Sequence, residues 1–435
     1  MGKYFGTDGI RGKLTDLTPE LAFRVGNALT QEKGNMRVLI GRDTRTSGSL
    51  LTYSLASGVM AGGGDVFDTG IVTTPSIAFL TKLRGFDYGI MITASHNPAE
   101  YNGIKIFDCR GNKIDEKKEN EIERKIKKIK YASVMKIGSY EDISKDSKDY
   151  IYYLLRNAEQ MFDGYKIVLD CANGGASKLA PEVFKRLGVN VITICASLDG
   201  RKINRKCGAT DVKALRDKVL KERADMGFAF DGDGDRIMVV SGSGEILSGD
   251  DLILIFADYM KSQNMLRNDT VVITQMSNMG LDEELSGRGI KTIRTDVGDK
   301  YVAQQMKKGF TLGGEQCGHI IIGSDATSGD GILAGIFLLN ALSTKYSSLA
   351  QTPRFKPFFQ FKADFEVEDK NVFLKNEHIA GFLNKLKAKF GSRGRILVRA
   401  SGTENKIRVL VESKEEREGQ NVFQRIKDFV ASEVR

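Results

Sequence analysis

The 435 residues carry 65 basic and 56 acidic side chains, a formal charge of +9, with 41 % hydrophobic and 28 % charged residues, which is the composition of an ordinary soluble globular protein. No apolar run approaches the roughly 20 residues of a membrane helix, Met1-Gly2-Lys3-Tyr4-Phe5 lacks a secretory apolar region, and five cysteines without CxxC spacing fit reduced thiols in a cytoplasmic protein with no membrane partner. Nor does the charge call for nucleic acid: the densest basic run, Lys117 to Lys130, interleaves Glu119, Glu121 and Glu123 at helical spacing as a solvated face does, while a net positive field suits a phosphorylated small molecule.

In chain order, one arrangement occurs three times: apolar strand, small-residue turn, helix, glycine, second strand. Arg37 to Gly41 leads through Ser47 and a helix to about Met60, then Gly62-Gly63-Gly64 and Asp65 to Phe67. Ile167 to Asp170 leads through Asn173-Gly174-Gly175 and a helix ending at Arg186, then Gly188 and Val189 to Ile194. Val271 to Thr274 leads through Ser277 and a helix to about Leu285, then Gly287-Arg288-Gly289 and Ile290 to Ile293. Continuous apolar strands predict sheets covered on both faces, and strand-helix-strand order predicts parallel pairing. The expectation is three similar α/β domains in series, residues 1–150, 151–248 and 249–352; one large doubly wound sheet is the alternative. Beyond Thr352 the texture changes. Pro353 and Pro357 punctuate a linker, Phe358 to Val367 alternates, and a helix (Glu377 to Phe390), strands Arg395–Val398 and Ile407–Val411 and a final helix predict a smaller α+β domain, 353–435, with an antiparallel sheet.

Two strands run straight into chemistry-bearing loops, at the carboxyl ends where open α/β sheets bind ligands. Tyr88 to Thr93 enters Ala94-Ser95-His96-Asn97-Pro98, and Asp225 to Phe230 enters Asp231-Gly232-Asp233-Gly234-Asp235-Arg236. Ser95 lacks a G-x-S-x-G elbow, and neighbours in sequence rarely place an imidazole such as His96 on the preceding hydroxyl, so an acyl-transfer triad is not expected. The glycines of the second loop let Asp231, Asp233 and Asp235 converge as hard oxygen ligands for Mg²⁺ or Ca²⁺. An EF-hand is excluded, because positions six and twelve counted from Asp231 are Arg236 and Gly242. A serine beside a hard-metal triad points to phosphoryl transfer, whereas a helix N-cap serine and a plain acidic turn are the structural alternatives.

Lys105 lies ten residues beyond Ser95, and Arg11 sits in a glycine-bounded turn, Thr7 to Gly12; a surface lysine and a structural ion pair are their other readings. In Gly313 to His319, Glu315 can accept from sugar hydroxyls, His319 titrates near neutrality or is a satisfied core histidine, and Cys317 is small filler. Lys105 and His319 are both open as general acid or base. Arg399-Ala400-Ser401-Gly402-Thr403-Glu404, with Arg408 nearby, makes an anion cradle or an ordinary turn. No Walker A sequence is present, so a nucleotide γ-phosphate is not the expected donor.

Four blocks, TASHNP at 93–98, DGDGDR at 231–236, GEQCGH at 314–319 and RASGTE at 399–404, together resemble the α-D-phosphohexomutase family across essentially the whole chain. The resemblance implies an isomerase that moves a phosphoryl group through phosphorylated Ser95, with His96 beside it and Lys105, Arg11 and His319 at the reacting end. One Mg²⁺ per chain would be held by Ser95, Asp231, Asp233 and Asp235. Arg236, Glu315, Cys317 and His319 would serve the sugar, and Arg399, Ser401, Gly402, Thr403 and Arg408 the non-reacting phosphate. The opening Tyr4 to Gly12 and Gln316 resemble the branch that interconverts glucosamine 6- and 1-phosphates and supplies UDP-N-acetylglucosamine synthesis. Cys317, Ala400 and Asn405 stand where that branch usually has serine, proline and proline. Further implications are a small sugar-phosphate partner, glucosamine or glucose 1,6-bisphosphate as activator, and room for a homodimer. The rivals are glucose or mannose phosphates as substrate, a metal-dependent sugar-phosphate phosphatase, and a non-catalytic binder.

Overall fold

A computed structural model describes residues 4–6, 8–31, 35–144, 148–400 and 405–433. Its nineteen strands form four sheets. The first contains β1 (Phe5–Gly6), β2 (Gly9–Lys13), β3 (Arg37–Arg42), β4 (Asp65–Ile71), β5 (Tyr88–Ile92), β6 (Tyr101–Asp108) and β7 (Tyr140–Asp142), in the order β1-β2-β6-β5-β3-β4-β7. The second contains β8 (Lys166–Asp170), β9 (Asn190–Ile194), β10 (Met226–Phe230), β11 (Ile237–Ser241) and β12 (Ile246–Leu247), in the order β12-β11-β10-β8-β9. The third, β14-β13-β15-β16, is built from β13 (Thr270–Thr274), β14 (Lys291–Thr295), β15 (Leu312–Gly314) and β16 (Ile320–Ile322). The fourth, β17-β19-β18, joins β17 (Phe359–Glu366), β18 (Gly394–Ala400) and β19 (Lys406–Ser413), all antiparallel.

The first three sheets share one kernel. A strand-helix-strand unit pairs in parallel (β3 with β4, β8 with β9, β13 with β14), a third strand joins parallel to the first, and a hairpin then returns antiparallel. The leading strands are buried on both faces: Val38, Leu39 and Ile40, Ile167, Val168 and Leu169, and Val271, Val272 and Ile273 are all fully inaccessible. Their unbroken apolar runs follow from that two-sided cover. The helix Gly331–Ala341 is apolar all round, and every one of its residues is buried, as that composition requires. Three α/β repeats and an antiparallel α+β region are therefore the architecture, and the single large sheet is excluded.

By contact the chain divides into two compact units. One comprises Met1–Met276 with Ile290–Pro353, and so holds the first three sheets; the other comprises Ser277–Gly289 with Arg354–Arg435. In the second unit the helix Met279–Gly287 groups with the fourth sheet's segment, because the Asn278 amide donates to the Phe358 carbonyl (3.1 Å) and accepts from the Phe358 N–H (2.9 Å). Phe390, Ile396, Ile407, Val411, Ile426 and Val430 form this unit's own core. Among the described residues, no helix is long and apolar enough to cross a membrane.

Candidate active site

The common kernel fixes where the chemistry lies. The Ser95 loop joins β5 to β6, the acidic loop joins β10 to β11, and Glu315 to His319 joins β15 to β16. All three are the hairpin turn after the third parallel strand of a repeat.

Ser95 is 1 % exposed, and its Oγ donates to Asp231 Oδ2 at 2.7 Å. The two loops meet through backbone as well: a Cβ on Gly232 would stand 2.5 Å from the Ser95 carbonyl oxygen, so only glycine permits this approach. Gly234, at φ +70°, turns the chain so that carboxylate oxygens of Asp231, Asp233 and Asp235 all lie within 4.8 Å of one another. Each of these aspartates is buried. Asp233 Oδ1 and Asp235 Oδ1 have no hydrogen-bond donor among the described residues. Buried carboxylate oxygens left bare are costly, and an oxygen-only cluster suits a hard divalent cation. Burial, together with the charges of Asp235 and Asp233, pushes the Asp231 carboxyl well above its ordinary range, a sign of crowded negative charge.

Lys105 answers part of that charge. It is 1 % exposed on β6, with Nζ 2.8 Å from Asp233, 3.2 Å from Asp235 and 3.1 Å from Asp8. Burial opposes its ammonium, but the three carboxylates outweigh burial and hold it protonated well above the usual lysine range. The ion pairs continue from Asp8 to Arg11 and Lys113, and from Lys113 to Asp299. His319 then lies 3.7 Å from both Asp299 and Asp235. Its Nε2 accepts the Gly329 N–H at 2.9 Å, which leaves the ring proton on Nδ1, toward Asp235. His319 thus braces a carboxylate of the cluster; burial opposes its protonation, but Asp235, with Asp299 and Glu315 behind it, raises the ring above the ordinary imidazole range. The acidic loop and the Glu315–His319 loop are also locked together, by the Ile237 N–H to Gly318 carbonyl bond (3.1 Å) and an Arg236–His319 bridge.

Two expectations are corrected. The imidazole of His96 does reach the preceding hydroxyl, with Nδ1 3.2 Å from Ser95 Oγ. In an extended chain the two side chains would point apart; Ser95 instead adopts a left-handed φ of +52°, and the turn brings them to one side. Arg11 is not in a turn. It sits in β2 opposite Gly103 of β6, its guanidinium paired with Asp8, while its buried Nε has no hydrogen-bond partner among the described residues.

The His96 ring is pushed down to about 4, first by burial and then by the charges of Arg236 and Arg11. The unfolded ring titrates near 6.5, so between these pH values the unfolded chain binds the extra proton. Stability that is complete above pH 6.5 is therefore withdrawn as the pH falls toward about 4, by up to about 3 kcal/mol at 1.36 kcal/mol per unit. Comparing urea denaturation of wild type and His96→Asn across pH 4–7 checks this: the variant's profile is flatter, and parallel profiles refute it.

Several functional residues carry no motif of their own. Arg45, fully buried on Asp43, donates to the carbonyls of Ser95 (2.9 Å), Asn97 (2.8 Å), Tyr101 (2.7 Å) and Pro98, and so moulds the whole serine loop. Asn204 adds Nδ2–H bonds to the Ser95 and Asn97 carbonyls at 2.8 and 3.0 Å. The run Arg42-Asp43-Thr44-Arg45 at the end of β3 was a signal of the same strand-end kind as Ser95; Asp299 and Asn204 offered none.

Glu315 and Cys317 share the third loop; burial raises both, the thiol to about 12, which agrees with Cys317 as inert filler. In the second unit Arg399 and Arg408 face each other directly across β18 and β19. Burial, and then Arg408, depress Arg399, a like-charge pairing that Asp364, 3.6 Å from Arg408, offsets in part. Ser401, Gly402 and Thr403 lie outside the described residues.

The domain models of phosphoglucomutase/phosphomannomutase match the chain in order: α/β/α domain I over residues 2–133, domain II over 148–244, domain III over 248–355 and the C-terminal domain over 364–429. The chain is 43 % identical over 431 residues to the phosphoglucosamine mutase of Caldicellulosiruptor bescii, covering 95 % of this chain and 96 % of the relative. It is 41 % identical over 445 residues to that of Bacillus licheniformis, covering 100 % and 99 %. Among solved structures, a phosphoglucomutase/phosphomannomutase family protein of Burkholderia thailandensis superposes with a TM-score of 0.81 at 26 % identity, covering 98 % of this chain and 95 % of that one. Aspergillus fumigatus N-acetylphosphoglucosamine mutase, solved with GlcNAc-6P and magnesium, shares the fold at a TM-score of 0.69 and 18 % identity, over 99 % and 96 % of the two chains. From these matches and the hairpin-borne site, the chain is a member of the phosphoglucomutase/phosphomannomutase family and, with it, a phosphohexomutase of the isomerase class.

Proposed function

We propose that the chain acts as a phosphoglucosamine mutase, interconverting glucosamine 6-phosphate and glucosamine 1-phosphate by way of phosphorylated Ser95. The observation that carries this reading is the buried Ser95 hydroxyl bonded to Asp231 inside a three-aspartate cluster. The substrate follows from the relatives that bear that name at 41–43 % identity.

In the forward half-reaction a free sugar hydroxyl attacks phosphorus on Ser95. The phosphorus–Oγ bond breaks, a 1,6-bisphosphate forms, and the proton lost by the sugar ends on Oγ. Asp231 Oδ2, which accepts from Oγ, and His96 Nδ1, 3.2 Å from it, flank that proton's destination. Return of the other phosphate to Ser95 completes the cycle, and free 1,6-bisphosphate would rephosphorylate an idle enzyme. Asp231, Asp233 and Asp235, with Ser95, would hold Mg²⁺, which bound there neutralises charge on the transferring group. Lys105 is a second fixed cation for those oxygens, and Arg11, whose Nε has no hydrogen-bond partner among the described residues, a third. Glu315 and His319 bound the sugar loop, with Cys317 and Arg236 beside them. Arg399 and Arg408, with Ser401, Gly402 and Thr403, are assigned to the phosphate that does not react. The five free thiols fit a reducing, cytoplasmic setting.

A coupled assay on glucosamine, glucose and mannose 6-phosphates tests the assignment. Glucosamine 6-phosphate should give the highest kcat/KM without matching release of inorganic phosphate. A preference for glucose or mannose moves the chain to another branch, and phosphate release in step with substrate loss makes it a phosphatase. Asp233→Asn should lower kcat by about 10²–10³ and blunt the response to added Mg²⁺; an unchanged Mg²⁺ titration would remove the cation from this loop.

A further inference from the structure

A second cluster with metal-ligand chemistry lies in the second repeat, away from the acidic loop. Asp170 ends β8, Cys195 directly follows the neighbouring parallel strand β9, and Cys207 arrives on the segment beyond. One ligand atom from each lies within 4.8 Å of the other two. Asp170 and Cys207 are buried, and Cys195 is partly exposed, so an ion has a way in. The Asp170 carboxylate is fully inaccessible, yet among the described residues no ion pair includes it; its oxygens accept the Ala172 and Gly208 N–H groups, at 2.9 and 2.8 Å, and the Cys195 thiol. A buried carboxylate without a counter-charge, facing two thiols, is an unfavourable arrangement that a cation would complete.

We propose that Asp170, Cys195 and Cys207 form a binding site for one thiophilic divalent cation of the Zn²⁺ class, distinct from the hard-cation site at Asp231, Asp233 and Asp235. Two thiolates and one carboxylate supply three ligands and leave a fourth position for water, a donor set that selects Zn²⁺ or Co²⁺ over Mg²⁺. Binding displaces both thiol protons to solvent, so affinity rises with pH. The site backs the serine loop. Asn204, three residues before Cys207, holds the Ser95 and Asn97 carbonyls, and its own N–H bonds the Ala172 carbonyl at 2.9 Å. Asn173 ties the same region together through the Ser197 N–H (3.0 Å), the Lys202 carbonyl (3.1 Å) and Cys207 Sγ (3.6 Å). A bound ion would cross-link the ends of this segment and stiffen the support under the nucleophile.

The test is an anaerobic Co²⁺ titration of the full chain with Mg²⁺ in large excess, monitored in the near ultraviolet. Thiolate-to-cobalt charge-transfer absorption saturating at one ion per chain is expected, lost in Cys195→Ser and in Cys207→Ser, and retained in Cys317→Ser and Asp233→Asn. Absence of the band, or its survival in Cys195→Ser, overturns the site. Cys195 is partly exposed, so that variant decides the matter even where the buried Cys207→Ser fails to fold. Zn²⁺ should likewise slow amide exchange over residues 195–208 in wild type and leave Cys195→Ser unchanged; equal exchange in both would remove the stiffening role.

Discussion

Ser95→Ala should abolish turnover, by about 10⁴-fold or more, since nothing else in the cluster can carry the phosphoryl group. Intact mass of the variant should show no phosphate adduct under conditions that phosphorylate wild type. The informative companion is Ser95→Gly. Ser95 holds a left-handed backbone, φ +52°, which glycine adopts without penalty, and strain of this kind gathers at functional positions. Relief of strain opposes the loss of the hydrogen bond to Asp231, so Ser95→Gly should stay within about 1 kcal/mol of wild type in urea unfolding while being as inactive as Ser95→Ala. Comparable activity in either variant ends the phosphoserine assignment. An inactive but grossly unfolded glycine variant would show that the hydroxyl serves the fold.

Lys105→Met should produce the largest loss of stability. The side chain is buried against Asp8, Asp233 and Asp235, and removing one partner from a buried ionic cluster costs about 3–5 kcal/mol because the remaining charges stay behind. Mg²⁺ should return part of that loss, since a ligand that binds only the folded state stabilises it by mass action. Urea denaturation of the variant in chelator and in millimolar Mg²⁺ separates the cases. A clearly higher midpoint with Mg²⁺, by more than wild type gains, is the expected result. Equal midpoints would mean that the aspartates do not take up the cation once the ammonium is gone. Turnover should also fall, because the fixed charge facing the transferring oxygens is lost.

What the sequence displays and what it conceals divide along range. The three strand-helix-strand units are written in local apolar runs and glycines, and Val38 to Ile40, Ile167 to Leu169 and Val271 to Ile273 sit where those runs place them. Ser95 and the three aspartates were legible because each lies at a strand end and the glycines 232 and 234 have few other uses. The partners that make the site work were not. Arg45 touches the Ser95 carbonyl across fifty residues, and Asp299 reaches Lys113 across 186. No spacing rule spans such separations; only the sheet order β2-β6-β5 brings Asp8 beside Lys105. His96 was misjudged for a local reason, the left-handed turn at Ser95, which residue type does not reveal. Arg399 and Arg408 were legible as two nearby cations, but their direct cross-strand pairing comes only from the register of the fourth sheet.

The shared kernel of the three repeats puts three polar turns at equivalent positions of three sheets. Ser95, the three aspartates and Glu315 to His319 each occupy the turn of a hairpin, and the three hairpins belong to three different sheets. The turn between β15 and β16 is nevertheless tied to the acidic one, since the Gly318 carbonyl accepts the Ile237 N–H at 3.1 Å and His319 lies 3.7 Å from Asp235. Replacing residues 315–319 as a block would therefore act on the acidic turn as well, through the packing of Gly318 on Ile237 and of His319 on Asp235.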